Sequence, residues 1–219
     1  MCGSPAQDPT GHDLPRGGAP VGPLLLLTDR VQARDRLPAV VAAAVREGVR
    51  AVVLRERDLP WPARAGLALA LHRVLAPVSG LLLLAGPPPG QGRDGVDVPI
   101  DGCHLAGRDP WPDGARGLLG RSCHAPEGLV AAAGAGARYA TLSPVFRSTS
   151  KPGYGPALGP SALRGPFPLP VYALGGVEDP PRARACVEAG AAGIAVMGAV
   201  MRAEDPRAVT AALLRAVTA

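Results

Sequence analysis

Aromatic side chains are nearly absent: Phe, Trp and Tyr make up 3% of the 219 residues. Any core built from this chain must be aliphatic, and there is little material for stacking on nucleic-acid bases. Lysine is scarcer still. Lys151 is the single one, against twenty-two arginines. The formal charge of +5 is scattered, with no polybasic block. A nucleic-acid partner is therefore not expected, whereas a small anionic ligand suits the balance. Long apolar runs are missing too. The longest, 24–27 and 81–85, fall far short of the roughly 20 residues a membrane helix needs. The N-terminal segment lacks the basic-then-apolar order of a secretory signal. The four cysteines (Cys2, Cys103, Cys123, Cys186) include no CxxC pair. Reduced thiols and a cytoplasmic location are the expectation.

What remains is ample for a core, since 47% of residues are hydrophobic. Residues 1–23 are Gly, Pro and polar residues without apolar period, and read as a disordered tail. From residue 24 onward two patterns alternate. Short apolar runs occur at 24–28, 51–55, 81–85, 102–106, 119–123, 138–142, 171–175 and 192–197. Ala/Leu/Arg stretches of helical period lie at 37–47, 62–76, 125–136, 179–189 and 206–217. The 179–189 stretch opens with acidic residues and prolines and stops at Gly190, as helices do. Strands apolar on both faces, alternating with helices, imply a covered parallel sheet. Eight of them predict a single-domain (β/α)8 barrel over 24–219, with an open doubly wound sheet as the alternative. The third unit is irregular: PPPGQGRDGVDVPID (87–101) offers a loop and no helix.

In such a barrel the chemistry gathers where strands end. LGGVEDP (174–180) follows the seventh strand and VMGAVMRAEDP (196–206) the eighth. Gly175, Gly176, Met197 and Gly198 would let backbone N–H groups approach a phosphate, although glycines at plain turns look the same. The sixth strand runs into SPVFRSTSKPGYG (143–155). Ser148, Thr149 and Ser150 offer hydroxyls there. Lys151 offers a compact charge, suited to phosphate or carboxylate in a geometry that arginine's planar fork does not match. A solvated loop is the bland reading.

The fifth strand ends in RSCHAPE (121–127), which brings Ser122 and His124 to the mouth. Imidazole is suited to proton transfer near neutrality, though single histidines are often structural. The second strand ends in VLRERD (53–58), with Arg55 and Arg57 on one face and Glu56 on the other. Substrate contact and core-edge ion pairing both fit them. The pairs Cys103-His104 and Cys123-His124 hint at zinc. Neighbours in a strand point to opposite faces, however, so zinc is not expected and His104 reads as structural.

Segments LLLLTDR, VVLRERD, DGCHLAGRD, GRSCHAPEGLVAAAGAGARYATLSPVFRSTSKPG and PVYALGGVEDPPRARACVEAGAAGIAVMGAVM run in register over most of 24–217. Together they resemble the thiamine phosphate synthase and thiazole tautomerase (TenI-like) superfamily. The resemblance implies a (β/α)8 barrel acting on a phosphorylated thiazole. Synthases couple an aminopyrimidine methyl diphosphate to the thiazole phosphate with help from Mg²⁺. Tautomerases move a proton on a carboxylated thiazole phosphate without metal, and the histidine matching His124 is their acid/base.

The departures from the synthase pattern are specific. Gln-Leu-Arg-Glu-Lys after strand two is here Val53-Leu54-Arg55-Glu56-Arg57. Asn-Asp after strand three is Gly86-Pro87-Pro88-Pro89, which brings no side-chain oxygen to Mg²⁺, and nothing in the spacing of Asp94 or Asp97 marks either as a substitute. Only Asp109 matches an acidic metal position. Ser148, Ser150 and Lys151 conversely match the synthase pyrophosphate loop. The resulting expectation is a tautomerase-like isomerase needing no cofactor. His124 would be its acid/base. Ser122, Lys151, Arg55 and Arg57 would face the substrate, and the glycines would hold phosphate. The alternatives are a divergent synthase using Mg²⁺ at Asp109 and a non-catalytic thiazole- or thiamine-phosphate-binding protein. A homo-oligomer is left open.

Overall fold

A computed structural model of the chain describes residues 19–87, 98–112, 117–147 and 156–219. Eight strands close in chain order into a parallel barrel. They are β1 (Leu24–Leu27), β2 (Ala51–Leu54), β3 (Leu81–Ala85), β4 (Gly102–Leu105), β5 (Leu118–Cys123), β6 (Tyr139–Leu142), β7 (Val171–Leu174) and β8 (Gly193–Val196). Closure comes from β1, whose Leu25 pairs with Ala51 of β2 on one side and Ala195 of β8 on the other. The sheet alternates as its period demands. Leu24 and Leu26 point outward to the helices, while Leu25 and Leu27 fill the interior with Val53, Leu83, Tyr139 and Tyr172. Both faces are buried, which is why the strands read as unbroken apolar runs.

The outer layer is α1 (Leu37–Arg46), α2 (Trp61–Leu75), α3 (Glu127–Gly134), α4 (Pro180–Glu188), α5 (Gly198–Met201) and α6 (Pro206–Thr218). The sharpest starts follow local chemistry. Asp179 accepts the Arg182 N–H ahead of the prolines of α4, and Asp205 accepts the N–H groups of Arg207 and Ala208 ahead of α6. Each such cap contributes about 1 kcal/mol. Among the described residues no helix follows β3 or β4, and only a 3₁₀ turn, Pro160–Leu163, lies between β6 and β7. Most of the expected loop at 87–101 lies outside the described residues. No helix among the described residues is long and apolar enough to cross a membrane.

One boundary differs from the sequence reading. Residues 19–23 are not tail. Val21 is 1% exposed and plugs the floor of the barrel beneath Leu25 and Tyr172, and the Pro23 carbonyl accepts the Ile194 N–H. A single apolar residue among glycines and prolines has no period, so only the barrel's open floor makes it core. Residues 1–18 lie outside the described residues.

Two buried charges fix the upper rim. Arg64 of α2 donates to the carbonyls of Leu54 and Ala85, at 2.9 and 2.7 Å, tying the ends of β2 and β3 together. Its burial lowers its pKa. Glu56, 4% exposed, accepts the Thr28 hydroxyl at 2.6 Å and the Arg30 N–H at 2.9 Å, joining the loops after β1 and β2. With Glu56 turned inward as a clamp, Arg55 and Arg57 are left to the mouth.

Candidate active site at the barrel mouth

The C-terminal ends of the strands open on a cavity of about 770 Å³. Arg55, Arg57, Ser122, His124, Gly175, Gly176, Met197 and Gly198, far apart in the chain, all border it. Ser148, Ser150 and Lys151 lie outside the described residues. Arg147, just before them, borders the same cavity.

One pole of the cavity is Arg57. Its guanidinium reaches over Gly86 at the end of β3, where an added Cβ would lie 3.1 Å from its Cζ. It grips the Asp109 carboxylate through contacts of 2.9 to 3.1 Å. Asp109 also accepts the Ala106 N–H at 2.8 Å. Its loop is braced by Arg121, which donates to the carbonyls of Asp109 and Gly107 and stacks 5.0 Å above Trp111.

The opposite pole lies over β7 and β8. Gly175 and Gly176 have φ of +91° and +66°, a region open to glycine at little cost. A Cβ on Gly176 would meet the Arg147 carbonyl oxygen at 2.5 Å. The loop after β6 packs directly on this turn, with Val145 and Phe146 donating to the carbonyls of Leu174 and Gly175. These glycines thus serve loop packing, whatever they do for a ligand. Gly198 is different. The three atoms nearest its added Cβ all belong to the Arg202 guanidinium, a flexible side-chain end. Arg202 lies against Gly198, bonded to Gln32 and 3.5 Å from Glu178.

Between the poles lie polar side chains of different character. His124 Nδ1 is 2.9 Å from the Ser143 carbonyl. A carbonyl only accepts, so Nδ1 carries the proton and Nε2 is the basic nitrogen of the neutral ring. Arg55 contacts the Met197 sulfur and lies 3.8 Å from Asp29. Its own N–H donates to the Thr28 hydroxyl. Ser122 Oγ is 2.8 Å from Nε2 of the buried His104. Arg147, Glu178, Arg202 and His104 border the cavity without having been singled out as ligands in the sequence. Arg202 falls within the loop-eight segment, but nothing in its spacing marks it.

Among the described residues, side-chain oxygen ligands for Mg²⁺ do not gather at the Arg57 pole. Asp109 is held by a guanidinium, and Gly86 and Pro87 add none. Among the described residues no three His, Cys, Asp or Glu side chains converge on one point. These residues do not fit the metal that the superfamily pattern implies.

A family model described as thiamine monophosphate synthase matches residues 24–200. The chain is 37% identical over 207 residues to the thiamine-phosphate synthase of Roseiflexus castenholzii, covering 88% of this chain and 86% of that one. It is 38% identical over 208 residues to a Geobacter sulfurreducens protein provisionally named a thiamine-phosphate synthase, covering 87% and 92% of the two chains. Among solved structures, thiamine phosphate pyrophosphorylase from Pyrococcus furiosus superposes with a TM-score of 0.72 at 25% identity, over 89% of this chain and 94% of that one.

Proposed function

This chain belongs to the thiamine monophosphate synthase family, and we propose that it is itself a thiamine-phosphate synthase, coupling an aminopyrimidine methyl diphosphate to a thiazole phosphate. The observation that carries this reading is the pair of arginine poles, Arg57 paired with Asp109 and Arg202 with Glu178. Arg57 stands over the end of β3, and Arg202 lies at Gly198 after β8, across one cavity. A coupling of two phosphorylated molecules needs two anion sites facing a common reaction volume, and a space of this size accommodates both. The curated relatives at 37–38% identity favour the same activity.

The chemistry asks for charge stabilisation more than for proton transfer. The C–O bond to the diphosphate breaks, and its electron pair leaves with pyrophosphate. The thiazole nitrogen lone pair then forms the new C–N bond. Arg57 stabilises the charge that builds on the departing diphosphate, and Arg55, held at Met197 and near Asp29, lines the volume between the poles. Arginine's planar fork suits phosphate oxygens. The thiazole phosphate binds at the opposite pole, by backbone N–H groups around Gly176 and Gly198 and by Arg202. Ser122 and His124 line the wall between. Lys151, Ser148 and Ser150 match the synthase pyrophosphate loop in sequence alone and lie outside the described residues.

A second reading, the thiazole tautomerase, draws on the Arg57–Asp109 pair. A guanidinium occupying the acidic position removes a metal ligand, and His124 with Nε2 as its basic nitrogen is equipped to move a proton. Turnover separates the two. Purified protein is given each substrate set in turn. Thiamine phosphate formation supports the synthase, and isomerisation of the carboxythiazole phosphate alone replaces it with the tautomerase. Tight binding of thiazole phosphate without either product leaves a binding protein.

A further inference from the structure

Inside the barrel, below the cavity, three side chains from adjacent strands are joined in a line that the coupling chemistry has not used. Tyr139 of β6 is fully buried, and its hydroxyl lies 3.0 Å from Nδ1 of His104 on β4. Nε2 of the same ring lies 2.8 Å from Oγ of Ser122 on β5. The His104 and Tyr139 rings stack with centroids 5.5 Å apart, and Tyr172 packs edge-on against Tyr139 at 5.7 Å. Only Ser122 reaches the mouth among the hydroxyls of this line.

The protonation of the line follows from its burial. Desolvation, reinforced by Arg121 and Arg55, pushes His104 down to about 4, so its ring is neutral near pH 7. Burial also raises Tyr139 well above the usual phenol range, so it keeps its proton. A neutral imidazole has one N–H and one lone pair. A phenolic O–H is a good donor, while its oxygen, conjugated with the ring, is a poor acceptor. The favourable arrangement has Tyr139 donating to Nδ1, which puts the ring proton on Nε2. Nε2–H then donates to Ser122 Oγ. Thr141 Oγ1, at 3.5 Å from Ser122 Oγ, adds only a weak contact. With its acceptor side taken by His104, Ser122 turns its own O–H to the cavity.

We propose that Tyr139 and His104 are positioning residues which lock Ser122 as a hydrogen-bond donor to an anionic oxygen of the substrate at the barrel mouth. The inference rests on reading the cavity as the substrate site. A donor already oriented in a desolvated site costs no reorganisation when charge develops, and this is what makes such groups effective. The neutral ring performs no proton transfer. It works as a fixed dipole, and its low basicity keeps it from becoming a charge in the core.

The first test needs neither variant nor substrate. In ¹⁵N-labelled wild-type protein, the His104 ring should show a protonated Nε2 and a bare Nδ1, unchanged from pH 8 down to about pH 5. A ring that carries its proton on Nδ1, or titrates near the free value, overturns the proposal.

The second test is a double-mutant cycle on Ser122→Ala and His104→Leu, read both as kcat for product formation and as affinity for inorganic pyrophosphate. Each single variant should lose roughly ten- to a hundredfold in kcat, and the double variant no more than the worse single. Independent, multiplying losses mean that His104 does not act through Ser122, and they overturn the proposal. His104→Gln, whose amide N–H can take the place of Nε2–H, should recover the larger part of the loss. Should His104→Leu fail to fold, that rescue, together with Tyr139→Phe, carries the comparison. A wild type that binds pyrophosphate but makes no thiamine phosphate ends the synthase reading alone, since the cycle is still read in the binding constants. Pyrophosphate affinity indifferent to all the variants, in a protein without turnover, overturns the donor role.

Discussion

Arg57 and Asp109, fifty-two residues apart, meet across the barrel mouth with a guanidinium fork on a carboxylate at 2.9 to 3.1 Å. The pair puts a protein cation where the superfamily pattern calls for a metal ligand, and it has a direct consequence for the reaction. Product formation should persist within about twofold when divalent ions are chelated, because the charge on the leaving group is met by arginine. The comparison is turnover in excess chelator against turnover in millimolar Mg²⁺. A loss beyond tenfold, restored by Mg²⁺, would show that ligands outside the described residues build a metal site.

His124 separates the two reactions. Isomerising the carboxythiazole requires a group that removes and returns a proton, and His124→Ala should slow that reaction by roughly 10²–10⁴-fold. Coupling moves no proton at the enzyme, so the same variant should cost thiamine phosphate formation less than about tenfold. A collapse of coupling in His124→Ala would reveal an essential proton transfer and contradict the mechanism above.

The low basicity of His104 links stability to pH. Its folded value of about 4 lies below the ordinary 6.5. Between those two values the unfolded chain binds a proton that the folded chain refuses. The contribution is therefore full above about pH 6.5 and is lost as the pH falls toward 4, by about 3 kcal/mol in all. Denaturant titrations at a series of pH values should show that slope in the wild type and a flatter one in His104→Gln. Parallel curves for the two proteins would mean that His104 titrates normally in the fold.

The glycines of the second pole should part company. Gly176→Ala forces a side chain into positive φ and against the Arg147 carbonyl, so it should destabilise the fold by about 2 kcal/mol or more. For a chain of this length that is a fall in Tm of about 5 °C. Gly198→Ala first meets the Arg202 guanidinium, a side-chain end that can move aside. Its Tm should stay close to wild type while phosphate affinity drops about tenfold, the usual loss for one hydrogen bond to a charged group. Calorimetry on both variants checks the contrast, and equal thermal losses would deny it.

The sequence by itself determined the barrel. Strand interiors buried on both faces read as continuous apolar runs, helices as amphipathic stretches, and caps such as Asp179 before its prolines as local signals. Every one of these is written within a few neighbouring residues. It also brought Arg55, Arg57, Ser122, His124 and the loop glycines to strand ends, because strand period fixes which residues emerge at the mouth. Tertiary structure alone decided who meets whom there. That Arg57 would reach past Gly86 to Asp109, and that Gly176 would be required by the Arg147 carbonyl, depends on the stagger of strands and the path of loops. Hydrophobic period does not encode either. The same holds for His104. In the sequence it was a histidine beside a cysteine, read as structural. Only closure of the barrel sets its two ring nitrogens between Tyr139 and Ser122, since hydrogen-bond geometry across three strands arises from their register and not from any spacing along the chain. Val21 makes the point at the floor, where an isolated apolar residue becomes core because the barrel has an open end to fill.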